Sequence, residues 1–290
     1  MPTRLTVLRN GSAFRAACVN DDTIQGSQGE SKVRRISVIH TAWHRAGLLL
    51  MLALPIAGHA AHPLISEDSA TQGRGKFELE IGNAWTHDGS DRSFELGPQL
   101  SYGILPQLDA ILRPTWLDQR STIDGEVFHA RGAGDTAADL KWRFFERDKL
   151  SMAVRAGVNA PTGDADRGLG SGKPTYHGLL VASIDLAPIA LHANIGYTRN
   201  RVDPTERRDL YHVSAAAVWT LNEAWRVLLA ELAGDTNVDN TRSVWPAVVR
   251  VGAIYTIKKG FDIDIGYQTR LNHEAASQIL LIGLTARWGP

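Results

Sequence analysis

From Gly75 to the end of this 290-residue chain, about a dozen segments alternate apolar and polar residues, and no stretch of ordinary length carries a helical repeat. Successive side chains of a strand point to opposite faces, so each segment has one greasy and one polar face. In "GDTAADLKWRFF" the charges Asp139, Lys141 and Arg143 alternate with Leu140, Trp142 and Phe144, with Asp135 in phase before them. "KFELEIGNAW" sets Phe77, Leu79, Ile81 and Trp85 against Glu78, Glu80 and Gly82. "FDIDIGYQTR" and the closing "ILLIGLTARWGP" repeat the pattern. The chain therefore reads as all-β.

Alternation alone fits two solutions, a soluble sandwich with its greasy face inside or a membrane barrel with its greasy face outside. Three features favour the barrel. Tight turns near Pro106, Arg147, Pro188, Asn222 and Lys259 take turns with polar connections near Gly89, Asp124, Gly170, Thr205, Asn240 and His273, five of which read as long. Short turns on one rim and long loops on the other are the asymmetry of an outer-membrane barrel. Aromatic residues sit near segment ends, with Trp85, Trp116, Trp142, Trp219 and Trp288 expected at the membrane interfaces. The apolar face is almost free of charge, as lipid requires, because Arg or Lys there costs roughly 2–4 kcal/mol at midplane. The expectation is a transmembrane antiparallel up-and-down β-barrel of about twelve strands, with both ends on the periplasmic side.

The first 60 residues hold seven Lys and Arg against three acids, which leaves a mildly acidic body and argues against a nucleic-acid partner. The only cysteine, Cys18, lies in that leading part, so the body has no thiol for disulfides or zinc. "HRAGLLLMLALPIAGHA" has a positive flank, a short apolar core and small residues before Ala61, the pattern of a secretory signal peptide. The expected organisation is an extension and cleavable signal over residues 1–60, a periplasmic segment over 61–74 and the barrel over 75–290. It places the chain in the outer membrane of a Gram-negative bacterium. Outer-membrane lipid is the expected partner, with periplasmic chaperones and the barrel-assembly machinery during biogenesis.

Three stretches carry a family likeness: "HPLISEDSATQGRGKFELE" from His62, "GAGDTAADLKWRF" from Gly132 and "NAPTGD" from Asn159. They resemble the outer-membrane transporter family named for the meta pathway of phenol degradation, and the likeness spans about residues 62 to 290. The resemblance implies a barrel that moves small hydrophobic or aromatic compounds across the outer membrane, and it brings no catalytic residues and no cofactor.

The polar faces supply the candidate lumen lining: Glu78, Glu80, Asp109, Arg113, Asp135, Asp139, Lys141, Arg143, Arg155, Arg250, Asp262, Asp264 and Arg270. Together they would set an electrostatic filter. Each taken singly is expected mainly to pair within a polar interior, since buried charges are seldom left alone. A less charged patch near Val227, Leu229 and Ile254 is the expected path for an apolar solute. Glu231 shares a face with Val227 and Leu229, which leaves open a locally apolar lumen or a register shift at a bulge. "GSGK" lacks the flanking residues of a phosphate-binding loop, because Arg167 and Pro174 stand where Gly and Ser or Thr are needed. Its loop reads as an external segment able to fold inward. His212 and Ser214 share a strand face, but the sequence shows no orienting acid beside them, so a lipid hydrolase ranks below a channel and a plugged structural barrel.

Overall fold

The computed structural model describes residues 6–10, 13–17, 62–123, 125–200 and 206–290. The expected signal segment, its cleavage point near Ala60 and Cys18 lie outside them. Thr6–Asn10 and Ala13–Ala17 form a two-stranded sheet of their own.

Among the described residues the alternating segments make one closed antiparallel barrel of twelve staves. In chain order these are β1 (Phe77–Asp88), β2 (Asp91–Leu105), β3 (Leu108–Arg113 continued by Trp116–Ile123), β4 (Glu126–Ala133 continued by Thr136–Arg147), β5 (Leu150–Ala160) and β6 (Thr175–Leu186). They continue with β7 (Ile189–Arg199), β8 (Asp209–Thr220), β9 (Trp225–Asp235), β10 (Ala247–Lys258), β11 (Phe261–Arg270) and β12 (Gln278–Trp288). Each pairs with its sequence neighbour, and β12 closes on β1 from Gln278↔His87 to Trp288↔Phe77. Closure leaves no free edge around the belt, so backbone groups facing lipid are paired.

β3 and β4 are each broken once, where Pro114 lacks an N–H for the ladder. The register slips by one residue there, from Arg113↔Ala137 to Trp116↔Ala133. The Gly134 N–H donates to the Thr115 carbonyl across the break. Above it, the hairpin of Trp116–Ile123 and Glu126–Ala133 pairs with the outer half of β2 and extends past the loop-side rim.

One rim carries the tight connections at 106–107, 148–149, 187–188, 221–224 and 259–260, and both barrel ends. The other carries long loops at 161–174, 200–208, 236–246 and 271–277. Two residues separate β1 from β2 at Gly89, and Trp116–Ile123 from Glu126–Ala133 around Asp124, which lies outside the described residues, so four of the six connections, rather than five, are long.

Outward faces carry the greasy residues, with Leu140 52% exposed and Trp85, Trp116, Trp142, Trp219 and Trp288 all exposed. The rings form two belts of cross-strand pairs. Near the tight-turn rim Phe77 stacks on Trp288 at 5.6 Å and tilts on Tyr102 at 4.6 Å, and Trp225 meets Tyr255 at 4.7 Å. Near the loop rim Trp85 meets Phe94 at 5.2 Å and Tyr197 meets Tyr211 at 5.6 Å. Such amphipathic rings belong at the two edges of a bilayer. This is an outer-membrane-type barrel, greasy outside and charged within.

The blurred alternation of β9 is a bulge. Ala217 faces Ala230 but Val218 faces Leu228, which leaves Leu229 as the extra residue. Glu231 and Leu228 both turn inward and are buried, while Leu229 is 42% exposed on the outer face. The expected apolar path therefore loses Leu229, and it loses Val227 as well, since the preceding residue, Arg226, reaches inward to Asp262. Ile254 stays inside.

Candidate functional site: a lumen threaded by the N-terminal segment

The segment expected in the periplasm lies inside the barrel. Residues from His62 to Ser69 are almost all buried, and their contacts pass around the wall in reverse strand order. His62 Nδ1 bonds the Asp264 carboxylate on β11. The Pro63 carbonyl accepts from Arg250 Nη1 on β10 at 2.5 Å. The N–H groups of Ile65 and Ser66 both donate to the Glu231 carboxylate on β9, at 2.8 and 2.5 Å, and Ser66 Oγ donates to Ser214 Oγ on β8 at 2.9 Å. Asn194 on β7 grips the backbone of Glu67 twice, accepting from its N–H at 2.6 Å and donating to its carbonyl at 3.0 Å. The Glu67 side chain, fully buried, binds Arg155 on β5 and Lys141 on β4. Ser69 reaches Ser183 and Ser151. The Gln72 N–H donates to Asp109, and its side-chain amide donates to Glu78. The Gly75 N–H donates to the Gly103 carbonyl at the tight-turn rim, where the segment becomes β1.

A twelve-stave barrel is wider than the eight-strand barrel that side chains alone can fill, so there is room for a chain segment. Inward-facing glycines make the bed for it. A Cβ on Gly266 would lie 2.6 Å from Pro63 Cβ, and one on Gly103 would collide with the Gly73 carbonyl. Apolar contacts add to the polar ones, since Leu64 packs with Ala216, Val218 and Leu228. Burial pushes the Asp68 carboxyl up, but Lys141 and His192 outweigh it and hold it below the usual carboxylate range. A cavity of about 340 Å³ remains beside the segment, lined among others by Gln72, Glu78, Asp109, Ile254, Asp262 and Arg287.

The sequence-derived lumen residues fall into four groups. Lys141, Arg155, Arg250, Asp264, Asp109 and Glu78 hold the threaded segment directly. Asp139, Glu80 and Asp262 hold wall groups: Asp139 takes Arg155 and His177, Glu80 takes the Gln99 amide, and Asp262 takes Arg226 and Arg287. Arg113 is buried near Glu95, Arg143 pairs with the exposed Glu146, and Arg270 lies 3.5 Å from Asp88. Asp135 does something different. It stands at the β4 break, and its carboxylate accepts from the N–H groups of Gly163 and Ser171 and from Ser171 Oγ. It thereby clamps the long loop 161–174, whose buried Leu169 lies beside Gly132 and Gly134.

The structure supplies the orienting acid that the sequence did not show for His212. Asp235 Oδ1 lies 2.8 Å from His212 Nδ1, and His212 Nε2 lies 3.1 Å from Ser214 Oγ. Asp235 comes from β9, opposite His212 in the ladder. The free side of Ser214 Oγ meets Ser66 of the threaded segment.

The family model described as Putative MetA-pathway of phenol degradation matches residues 62–288, which cover both the threaded segment and the barrel. The chain belongs to this family. Its match begins at His62, the first residue of the segment seen against the wall, so segment and barrel form one family unit. Among solved structures, this family member is similar to an outer membrane channel from Pseudomonas putida F1, at 12% identity and a TM-score of 0.57 over 76% of this chain and 98% of that one. The KdgM porin aligns at 8% identity and 0.48 over 72% and 98%, and the CymD monoaromatic hydrocarbon channel at 10% and 0.43 over 75% and 89%. No curated protein matches the chain.

Sequence reasoning missed the segment's partners Glu231, Asn194, Ser214, Ser183 and Ser151. Their signal was present as polar residues on inward faces. The inward glycines at Gly82, Gly252, Gly266 and Gly283, which sit beside His62 and Pro63, were a second signal.

Proposed function

We propose that this protein is an outer-membrane channel for small hydrophobic or aromatic compounds, which move by gated diffusion through a lumen that the His62–Arg74 segment narrows. The observation that carries the reading is the threaded segment itself. A merely structural barrel needs no chain inside it, whereas a barrel that must exclude most solutes needs a constriction. The family's description, which concerns a phenol-degradation pathway, supports the solute class. The lumen charges act as a set by holding the constriction in place and by lining the 340 Å³ cavity, within the range of small-molecule pockets. Export by the leader before Ala61, followed by chaperone escort and assembly, delivers the barrel to the outer membrane.

Cells that differ only in this protein, given a radiolabelled monoaromatic hydrocarbon, test the reading. The account predicts faster initial uptake in cells that carry it, and equal rates contradict it. A second reading, a barrel-embedded hydrolase, draws on Ser214, His212 and Asp235. It requires Ser66 to move aside. Covalent labelling of Ser214 by a fluorophosphonate would favour it, and an unlabelled protein would remove it.

A further inference from the structure

Outside the lumen, one row of basic residues stands across four neighbouring strands of the outer surface. The loop-side halves of β1–β4 continue past the aromatic belt, and their ladder sets His87, Arg92, Arg120 and His129 side by side on four successive strands. This row lies one outward-facing position beyond Trp85 and Phe94, about 7 Å further along the strands. Arg92 and Arg120 are direct cross-strand neighbours, and both are exposed. Like charges so placed repel each other.

The nearby carboxylates do not neutralise them. Asp118 lies 2.7 Å from His129 Nε2, and Asp91 accepts from the Thr122 N–H. Among the described residues neither Arg92 nor Arg120 has an ion-pair partner. Arg199, also at the loop rim, is paired with Asp209 at 2.5 Å. The Arg92–Arg120 pair stands at the height where acyl chains give way to headgroups.

We propose that this row binds the phosphate of a glycolipid in the outer leaflet. The proposal rests on the outer-membrane placement, which puts the long-loop rim outside. Two guanidinium groups one strand apart match a phosphate with several acceptor oxygens. Below His87 and Arg92 the rings of Trp85 and Phe94 would meet the first carbons of the acyl chains, while Asp118 and Arg131 continue that row below Arg120 and His129. A lipid, rather than a soluble phosphate compound, is favoured because the row continues directly from the lipid-facing belt.

The full-length protein, purified in detergent and checked for folding by heat-dependent gel migration, is offered diphosphorylated lipid A and its dephosphorylated form. The parent should retain the phosphorylated lipid preferentially. The double variant R92Q/R120Q should retain about thirtyfold less, the combined value of two basic side chains at an anionic surface. R147Q, on the opposite rim, should match the parent. Equal retention of the two lipids by the parent overturns the proposal, as does equal retention of the phosphorylated lipid by parent and double variant. Insertion into phosphate-free vesicles is scored separately and bears on the membrane reading alone.

Discussion

Oε2 of Glu67 stands 2.8 Å from Nζ of Lys141, a contact between the threaded segment and the wall of β4. The same carboxylate binds Arg155, which is also held by Asp139. Glu67 therefore ties three buried charges of the wall into one network, and removing it leaves Arg155 with Asp139 as its one carboxylate partner and Lys141 with only Asp68, 3.5 Å away. Breaking a buried pair from one side costs about 3–5 kcal/mol. The Glu67→Ala variant should insert as the parent does but release its segment. In a Cys18→Ser background, a cysteine placed at the buried Ser69 should react with a maleimide at least about tenfold faster in E67A.

The facing of β4 separates two substitutions at adjacent positions. Leu140→Arg puts a cation on the lipid face, at a cost of roughly 2–4 kcal/mol near midplane, and should block stable insertion. Asp139→Asn, on the inner face, should insert and show heat-dependent migration like the parent, with altered permeation. Normal folding of L140R would contradict the facing.

Much of this was legible before any coordinates. Alternation in β1, β4, β11 and β12 places their lipid and lumen faces because a period of two admits only one choice once Trp and Leu are set against charge. β9 was opaque for a physical reason: a bulge adds one residue, so Leu229 and Glu231 share a face by number but not in space. The threaded segment was opaque for another. "HPLISEDSATQGR" has no periodicity and looks solvated, since its order comes from distant side chains such as Arg155, Glu231 and Asp264, which lie 88 to 202 positions from their partners. The Asp235 partner of His212 was hidden in the same way, because it comes from the neighbouring strand.

The inner glycines give an independent test of the threading. Gly266→Val places branched carbons where Pro63 sits, with Pro63 Cβ only 2.6 Å from the first added atom. The variant should keep its lipid face and insert. Its His62–Pro63 turn should leave the wall, and the Ser69 cysteine reporter should again gain reactivity.

Loop 161–174 depends on Asp135. Three donors from Gly163 and Ser171 converge on its carboxylate. Asp135→Ala should leave the barrel folded while trypsin cuts after Arg167 several-fold faster, as expected when hydrogen bonds to a charged group worth about 1.5–3 kcal/mol are lost. Unchanged digestion would contradict the clamp and leave the loop to Leu169 and to Thr162, which donates to the Gly134 carbonyl.

The most direct test of the central claim is single-channel conductance in a planar bilayer, comparing the purified parent with E67A. If the His62–Arg74 segment narrows the conducting path, the parent should give small, repeatable current steps and E67A steps several-fold larger. Steps of the same size from both proteins would contradict the account.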